Sequence, residues 1–480
     1  MGGTGRPYPR MTINALPDNV ILRTFDFYLG KDDPDEIDDD PTYDEWHKLI
    51  HVCHRWRCIV FALPRRLNLK LYCTRQRSVN SKTLDIWPEL PIVVVAQHMD
   101  SKEDVTNLIT ALRQHNRVCK IYYRNWGFQD SLLEEFAAMD EPFPALTSLV
   151  LSACQQPNAP VLRDSFLGGS APRLRSIHVD GIQYPSIGNL LSSTTNLVHL
   201  FLWDITHSGY ISPETIVLCL SMSPRLESLS LGFEYPRSPA HRASRHPPPL
   251  TRVVFPNLTF LLFHGDVEYL EDILSQIETP MLNISTFRFF DQLLFDTPLL
   301  GHFIRRTEIF MTTHTALVEF SSCFVEVTLW GQGEMPDDDM ETRELSVSCK
   351  PLDRQLSALP QVLNSFLSSL STLETLEIKV SRKDWQGEIG VIQWREFFHP
   401  FTAVTRVSLK DKASIRLVAP ALRELARERA TEVLPALQNL SLMTSGWSPP
   451  GPLKDAVEQF IATRQLYGQP VTLHYQDPKV

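Results

Sequence analysis

A cluster of potential metal ligands lies near the N-terminus, where His51, Cys53 and His54 stand close together. Imidazole and thiolate groups bind zinc, but a structural zinc site needs four such ligands, supplied as two pairs at characteristic spacing. The chain has no second pair, because its eight cysteines are scattered and form no CxxC motif. We therefore predict no metal site, and we interpret the cysteines as small buried side chains of a reduced, intracellular protein.

Two charged stretches are the next candidates for ligand binding. The segment 331–344 contains Asp337, Asp338 and Asp339 but lacks the alternating ligands and the glycine of a calcium-binding loop. The Pro-rich segment 235–249 carries Arg242, Arg245 and His246, which could grip an acidic partner. Both compositions are typical of solvated, mobile loops, and we predict such a loop at each place.

Motifs that carry catalysis are missing from the sequence. It has no GxSxG, HExxH, phosphate-binding GxxxxGK[ST] or GxGxxG segment. We therefore expect no enzymatic activity, no catalytic residue and no cofactor. An enzyme with an unrecognised site stays open as an alternative.

The composition narrows the class of protein further. The 480 residues include 43% hydrophobic residues, enough for a sizeable core, and the net charge is −10, so we predict no nucleic-acid partner. No apolar run approaches the roughly 18 residues that span a bilayer, and no secretory signal is evident. We predict a cytoplasmic or nuclear protein, or both, without membrane association.

A short phrase recurs along the chain and organises most of it. The phrase consists of a Pro or Thr, any residue, a Leu, two residues, an aliphatic, one residue and a second aliphatic. Matches end near residues 151, 179, 202, 231, 263, 378, 409 and 442, with weaker copies at 118–123 and 280–289. The anchoring Leu recurs at spacings of 23 to 32 residues. Leucine-rich repeats have periods of roughly 20 to 29 residues, so several of these copies are stretched.

The spacing of the aliphatic residues predicts a short parallel strand in each copy, with alternate side chains directed inward. The segments before the phrases predict helices that return the chain: 104–112, 131–139, 213–220, 266–277, 361–370, 419–430 and 453–465. A single repeat cannot bury its apolar face, so stacked neighbours must cover it. The predicted fold class is α/β, an irregular leucine-rich-repeat solenoid over residues 73–480. Irregular turns are expected, because the Asn or Cys of the consensus turn is present only at Cys154.

Residues 11–72 predict a separate, small helical domain, preceded by a disordered N-terminus at 1–10. Leu16, Val20 or Ile21, and Phe25 mark one helical face, followed by an acidic insert at 31–44. Leu49, Val52 or Cys53, Trp56 and Val60 mark a second face, which ends before Pro64. A bundle of two or three short helices fits this pattern.

These residues resemble the F-box family. Leu16-Pro17 with Ile21, Leu22 and Phe25 resembles the first half of the family pattern. Val52-Cys53-His54-Arg55-Trp56 with Ile59 and Leu63 resembles the second half. An F-box followed by irregular leucine-rich repeats is similar to members of large fungal F-box families. The resemblance implies an adaptor that docks the Skp adaptor and, through it, the cullin of a ubiquitin ligase. The implied docking residues are Leu16, Pro17, Ile21, Leu22, Val52, Cys53, Trp56 and Ile59, some of which must instead form the core of the domain.

The repeats are expected to hold an unidentified target protein. In solenoids such a surface tends to be the strand face and the loops that leave it. The candidates are aromatic residues at or beyond strand ends: Trp203, Phe233, Tyr235, His264 and Trp330. Core packing is the competing interpretation for each of them. A repeat scaffold without ligase association is the alternative function.

Overall fold

A computed structural model describes residues 16–29, 46–67, 69–74, 84, 89–97, 102–125, 139–153, 161–236, 251–292, 295–307, 313–331, 343–366, 370–381, 391–429, 432–443 and 450–476. The chain divides into two compact units, Met1–Leu200 and Phe201–Val480. The predicted helix at 131–139 and most of the predicted loops at 31–44, 235–249 and 331–344 lie outside the described residues. Glu344 belongs to a strand, so the last predicted loop ends earlier than expected.

The first unit begins with three short helices and continues into parallel strands. Its elements are α1 (Asp18–Leu29), α2 (Trp46–Val52), α3 (His54–Ala62), β1 (Leu71–Cys73), β2 (Ile92–Gln97), α4 (Lys102–Leu112), β3 (Val118–Asn125), β4 (Ser148–Ala153), β5 (Ser176–Asp180) and α5 (Ile187–Ser193). The strands pair in the order β1-β2-β3-β4-β5, and each pair is parallel. Strand β6 (His199–Ile205) contains the boundary between the units.

Strand β2 is apolar on both of its faces. Val94 lies on the face of Cys73, whose thiol approaches the backbone oxygen of Asn107 in α4 at 3.8 Å. Val93 and Val95 form a second, fully buried cluster with Tyr122 on the opposite face. Burial on both faces explains why this strand consists of consecutive apolar residues without a repeat phrase.

The second unit holds a longer sheet. Its elements are α6 (Pro213–Leu220), β7 (Ser228–Phe233), β8 (Val253–Val254), β9 (Phe260–Gly265), α7 (Val267–Gln276), β10 (Ile277–Glu278), β11 (Ile284–Phe290), α8 (Pro298–Arg306), β12 (Thr315–Phe320), β13 (Val325–Trp330), β14 (Arg343–Ser348), α9 (Leu352–Leu363), β15 (Thr375–Val380), α10 (Val391–Phe398), β16 (Arg406–Leu409), α11 (Lys412–Arg429), β17 (Asn439–Met443), α12 (Gly451–Leu466) and β18 (Thr472–Gln476). From β7 onward the order is β7-β9-β11-β14-β13-β12-β15-β16-β17-β18, and β8 and β10 pair separately. The α/β class and the parallel character of the sheet confirm that part of the prediction.

Ring contacts show which face of this sheet the helices cover. Tyr269 of α7 stacks on Phe263 of β9 with centroids 5.8 Å apart, and its ring lies 4.7 Å from that of Phe233. Farther along, Trp394 of α10 lies 6.4 Å from Phe320 of β12. Because neighbouring strand residues point to opposite faces, the alternate residues form the face opposite these helices. We call it the open face.

A tight turn precedes most of the repeat strands. In each turn the N–H of the anchoring Leu donates to the carbonyl three residues earlier, as from Leu146 to Phe143 at 3.1 Å and from Leu437 to Leu434 at 3.0 Å. The second residue of these turns is Pro144 or Pro435, and proline favours that position because its φ is fixed near the required value. The recurring Pro of the phrase is therefore a turn residue.

A backbone ladder joins the starts of successive strands. The carbonyl of Thr147 accepts from the N–H groups of Arg175 and Ser176 at 2.8 and 3.2 Å, and Glu227 accepts likewise from Thr259 and Phe260. The same two-to-one pattern recurs at the carbonyls of Arg175, Thr259, His314, Glu374 and Thr405. The irregularity that the repeat spacing predicts thus lies in the connections, whereas the hydrogen bonding at the strand starts is regular.

One stretch of the second unit departs from the repeat order. Strand β13 is antiparallel to both β12 and β14, so the chain doubles back between α8 and α9. As a result β14 lies beside β11, and β12 lies beside β15. The repeat phrase is absent from 290 to 369, and this meander occupies the gap.

Two predicted helices begin too late. Helix α9 spans Leu352–Leu363 and not 361–370, so its end is also wrongly predicted, and α11 begins at Lys412 and not at 419. Both predictions start beside a proline, yet Pro360 and Pro420 lie inside continuous helices. Burial of the apolar face keeps each helix intact around its proline, which overrides the local preference.

Candidate functional site

The three N-terminal helices, with the residues that follow to 67, form what we call the N-terminal helical segment. Its core contains Ile21, Leu22 and Ile59, each at most 7% exposed, and the fully buried Phe25. The ring of Phe25 meets that of Trp56 edge-on, with centroids 4.8 Å apart. Three of the predicted docking residues therefore hold the segment together.

Two polar contacts fix the arrangement of these helices. Cys53 has extended backbone angles and separates α2 from α3, and its Sγ accepts from the N–H of Trp56 at 3.5 Å. Arg55 donates to the carbonyl of Leu16 at 2.6 Å and pairs with Asp18 at 2.5 Å. The Leu-Pro start of α1 is thereby attached to the start of α3.

The outer surface of the segment carries apolar side chains. Pro17 is exposed and Val52 is 54% exposed, while Leu16, Cys53 and Trp56 are partly buried. Val20, an alternative to Ile21 on the predicted helical face, is 40% exposed, and Phe27, which was not predicted from the sequence, is 88% exposed. They lie seven residues apart on the helix face opposite Phe25, and this spacing was available in the sequence. A segment that exposes such residues has a surface suited to a protein partner.

A second candidate surface lies on the open face of the second unit. Trp203 of β6 extends over Gly232 of β7, where a Cβ atom added to the glycine would lie 2.4 Å from the indole Cε3. Its ring stacks on that of His264 at 5.8 Å, and His264 contacts the ring of Phe290 at 4.7 Å. The ring of Phe201 also stacks on that of Trp203, with centroids 5.4 Å apart. These rings form a half-buried apolar shelf across four strands.

The charge state of His264 suits this stacking. Burial lowers the pKa of His264, Arg288 acts in the same direction, and Asp204 opposes both. A pKa below the ordinary value keeps the imidazole neutral at neutral pH, so the shelf carries no charge at this position.

Beyond the shelf, the open face becomes charged. Arg288 lies 3.8 Å from Glu344, and Lys379 lies 2.9 Å from Glu319. Between them, Glu326 stands directly opposite Glu319 in the antiparallel pair, an unfavourable position for two like charges. Burial raises the pKa of Glu326, Glu344 and Glu319 add to the rise, and Arg288 and Lys379 oppose it. These residues were not predicted from the sequence, although each is a polar residue alternating with buried apolar ones.

The remaining predicted target-binding residues lie elsewhere. Phe233 is 5% exposed and faces the helices, so it offers no surface to a partner. Tyr235 is 55% exposed, with its ring 6.3 Å from that of His207. Trp330 is 5% exposed and pairs in register with Thr315, at the starting end of β12. Only Trp203 and His264 of the five come together.

In the described part of the chain, no group of three or more His, Cys, Asp or Glu side chains is placed to hold a metal ion. His54 instead lies 3.7 Å from the thiol of Cys58, one helical turn away. None of the helices in the described ranges combines the length and the apolarity needed to cross a membrane.

Comparison with known proteins gives little further guidance. No family model matches the chain, and no curated protein matches it. Among solved structures it is similar to the leucine-rich repeat-containing protein LegL7 from Legionella pneumophila, with 13% identity and a TM-score of 0.28. That similarity covers 79% of this chain and 98% of LegL7. With so low a TM-score, the similarity carries no argument about fold or function.

Proposed function

We propose that this protein is a non-catalytic adaptor of a Skp–cullin–F-box type ubiquitin ligase. In this proposal the N-terminal helical segment is an F-box that docks the Skp adaptor, and the repeats hold a target protein. Ubiquitin transfer then takes place on other subunits. The contribution of this chain is proximity, because holding two reactants together raises their effective concentration.

The observation that carries the proposal is the exposed apolar surface of the N-terminal helical segment. Phe27, Val52 and Val20 remain exposed although the segment has its own core around Phe25. Burying each such side chain at an interface contributes roughly 1.5 to 3 kcal/mol, so a few of them support stable association. The resemblance of the surrounding residues to an F-box implies the Skp adaptor as the partner.

In this proposal two buried charged side chains of the repeats have a structural role. Glu271 accepts from the N–H groups of Leu299 and Leu300 at the start of α8, at 2.9 and 2.5 Å. Arg464 donates to the carbonyls of Val433 and Leu434 at 3.0 and 3.2 Å. These charged side chains satisfy backbone groups that would otherwise be buried without partners.

Affinity capture of the tagged chain from cells tests the proposal. We expect the Skp adaptor and cullin to co-purify with the wild type, and the double variant Phe27→Asp/Val52→Asp to lose both. Because both residues are exposed, these substitutions leave the core of the segment intact. Leu218→Asp is the matched control, since Leu218 is 71% exposed on α6 of the repeats, and it should retain both proteins.

Two outcomes contradict the proposal. Absence of the Skp adaptor and cullin from the wild-type capture would leave a repeat scaffold without ligase association. Equal loss in the Leu218→Asp control would remove the N-terminal helical segment as the docking surface.

A further inference from the structure

The strand register places seven positions in one line across the open face. Gly232 pairs with His264, His264 with Arg288, and Arg288 with Ser346. The line continues from Ser346 to Glu326, from Glu326 to Glu319, and from Glu319 to Lys379. With Trp203 lying over Gly232, we call this line the open-face row. One of its ends is aromatic and the other is charged.

The charged part of the row has an excess of carboxylates. Among the described side chains there, Glu344, Glu326 and Glu319 face two cations, Arg288 and Lys379. Glu319 also accepts from the hydroxyl of Ser381, and Glu344 accepts from that of Thr286 at 3.3 Å. Both outer carboxylates therefore have partners on the sheet.

Glu326 differs from its two neighbours. It is partly buried between them, and no hydrogen bond or ion pair from a described residue reaches it. A partly desolvated carboxylate flanked by two others gains from a cation that approaches from solvent, because the local attraction is screened less than at an open surface. The complementary group is an ammonium or a guanidinium, and the second forms two parallel hydrogen bonds.

The distance between His264 and Glu326 along the open-face row determines how far apart the two contacting residues of a bound peptide must be. Glu326 lies three strands from His264, and neighbouring strands are about 4.8 Å apart, so the two positions are separated by about 14 Å. An extended chain advances about 3.4 Å per residue, and its side chains alternate in direction. Residues about four apart in such a chain therefore reach both positions from the same side.

We propose that the open-face row binds an extended segment of the target protein that places an Arg or Lys side chain over Glu326 and an apolar side chain on the Trp203–His264 shelf. This inference rests on the proposed function in that the repeats hold the target. It adds which residues the target segment must contain: a cationic residue and an apolar residue about four positions apart. The charge complementarity at Glu326 selects the cation, and the neutral shelf selects the apolar side chain.

Selection from a displayed library tests the inference directly. Random peptides of about twelve residues, long enough for the four-residue spacing, are selected on the immobilised full chain. We expect enrichment of Arg or Lys with an aromatic or aliphatic residue about four positions away. Selection on the Glu326→Gln variant should lose the preference for the cationic residue and keep the preference for the apolar residue. Selection on the Trp203→Ala variant should lose the preference for the apolar residue and keep the preference for the cationic residue.

Synthetic peptides then measure the charge contribution. Replacing the selected Arg by citrulline keeps the shape and removes the charge, and it should weaken binding to the wild type by about tenfold or more. Binding to Glu326→Gln should change by less than about threefold, which isolates the Glu326–Arg pair. Glu458→Gln is the control, because Glu458 is an exposed carboxylate on α12 that pairs with Lys454, and it should behave as the wild type.

Three outcomes overturn the inference: no enrichment on the wild type, enrichment of acidic peptides, or an unchanged cation preference in Glu326→Gln. None of these measurements involves the Skp adaptor or cullin. Peptide binding without capture of those proteins would therefore refute the ligase role and leave the surface standing. Capture of those proteins without a cation preference would refute the surface alone.

Discussion

The contact between Trp203 and Gly232 provides a sharp test of the open-face geometry. In Gly232→Ala, the new Cβ would lie 2.4 Å from Cε3 and 2.6 Å from Cδ2 of the indole. Ordinary van der Waals contact begins at 3.4 Å, so the ring must move by at least 1.0 Å, the difference between 3.4 and 2.4 Å. Such a movement disrupts the stack with His264.

The expected loss of stability combines three contributions. Overpacking typically costs about 1 to 3 kcal/mol, and a lost aromatic pair about 0.5 to 1.5 kcal/mol. Replacing glycine in a strand by alanine returns about 0.5 to 1 kcal/mol, because the unfolded chain loses conformational freedom. The free energy of unfolding of Gly232→Ala should therefore fall by about 0.5 to 4 kcal/mol.

Urea denaturation of four proteins measures this effect: the wild type, Gly232→Ala, Trp203→Ala and the double variant. Once the indole is absent, the new methyl group meets no ring, so Gly232→Ala should be neutral or stabilising in the Trp203→Ala background. Gly451→Ala is the control, because nothing lies within 4 Å of a Cβ built at Gly451. A similar loss of stability from Gly232→Ala in both backgrounds would refute the placement of Trp203 over this glycine.

Three further perturbations test other parts of the structure. Phe25→Ala should destabilise the N-terminal helical segment by about 3 to 5 kcal/mol, because Phe25 is fully buried. Phe27→Ala, at an exposed position, should change the stability of the segment by less than about 0.5 kcal/mol, and hydrogen exchange of α1 distinguishes the two variants. Burial raises the pKa of Glu326, so this carboxyl group holds a proton more tightly in the folded protein than in the unfolded chain. The free energy of unfolding therefore falls as the pH rises from the ordinary carboxyl pKa through the raised pKa of Glu326. Glu326→Gln should remove that part of the fall and be more stable than the wild type at neutral pH, as measured by urea midpoints at roughly pH 4 and pH 8. Arg464→Ala leaves two buried backbone carbonyls without their donor and should cost at least about 3 kcal/mol in thermal or urea unfolding.

The sequence predicted the strands that follow a turn phrase and missed those that do not. β4, β5, β7, β9, β15, β16 and β17 lie where the phrases place them, because the Pro turn and the alternating aliphatic residues act locally. β13 has no such phrase, and its direction depends on pairing with β12 and β14. That pairing is a tertiary property, so a local pattern cannot predict it.

For the candidate surfaces too, features that depend on local sequence could be predicted, and features that depend on strand pairing could not. Alternation along a strand identifies Trp203 and His264 as residues of one face, and the aromatic ends of strands are visible in the sequence. The line from His264 to Glu326 depends on the register of three strands, one of them antiparallel. A shift of one residue in any of these pairs would move Glu326 away from the line, so its role could not be predicted from the sequence.

The backbone ladder at the strand starts bears on how this chain can change over evolutionary time. Its rungs, such as those at Thr147 and Glu227, involve only main-chain atoms at one fixed point of each repeat. The segments that return the chain to the next strand are not part of these hydrogen bonds. The anchoring Leu residues of successive copies are 23 to 32 residues apart, and this variation in length leaves the hydrogen bonds at the strand starts in place. Insertions and deletions in the return segments are therefore tolerated, since they leave the register of the sheet unchanged. Substitutions on the open face can then accumulate on a constant frame, so related chains could recognise different targets while keeping the same architecture.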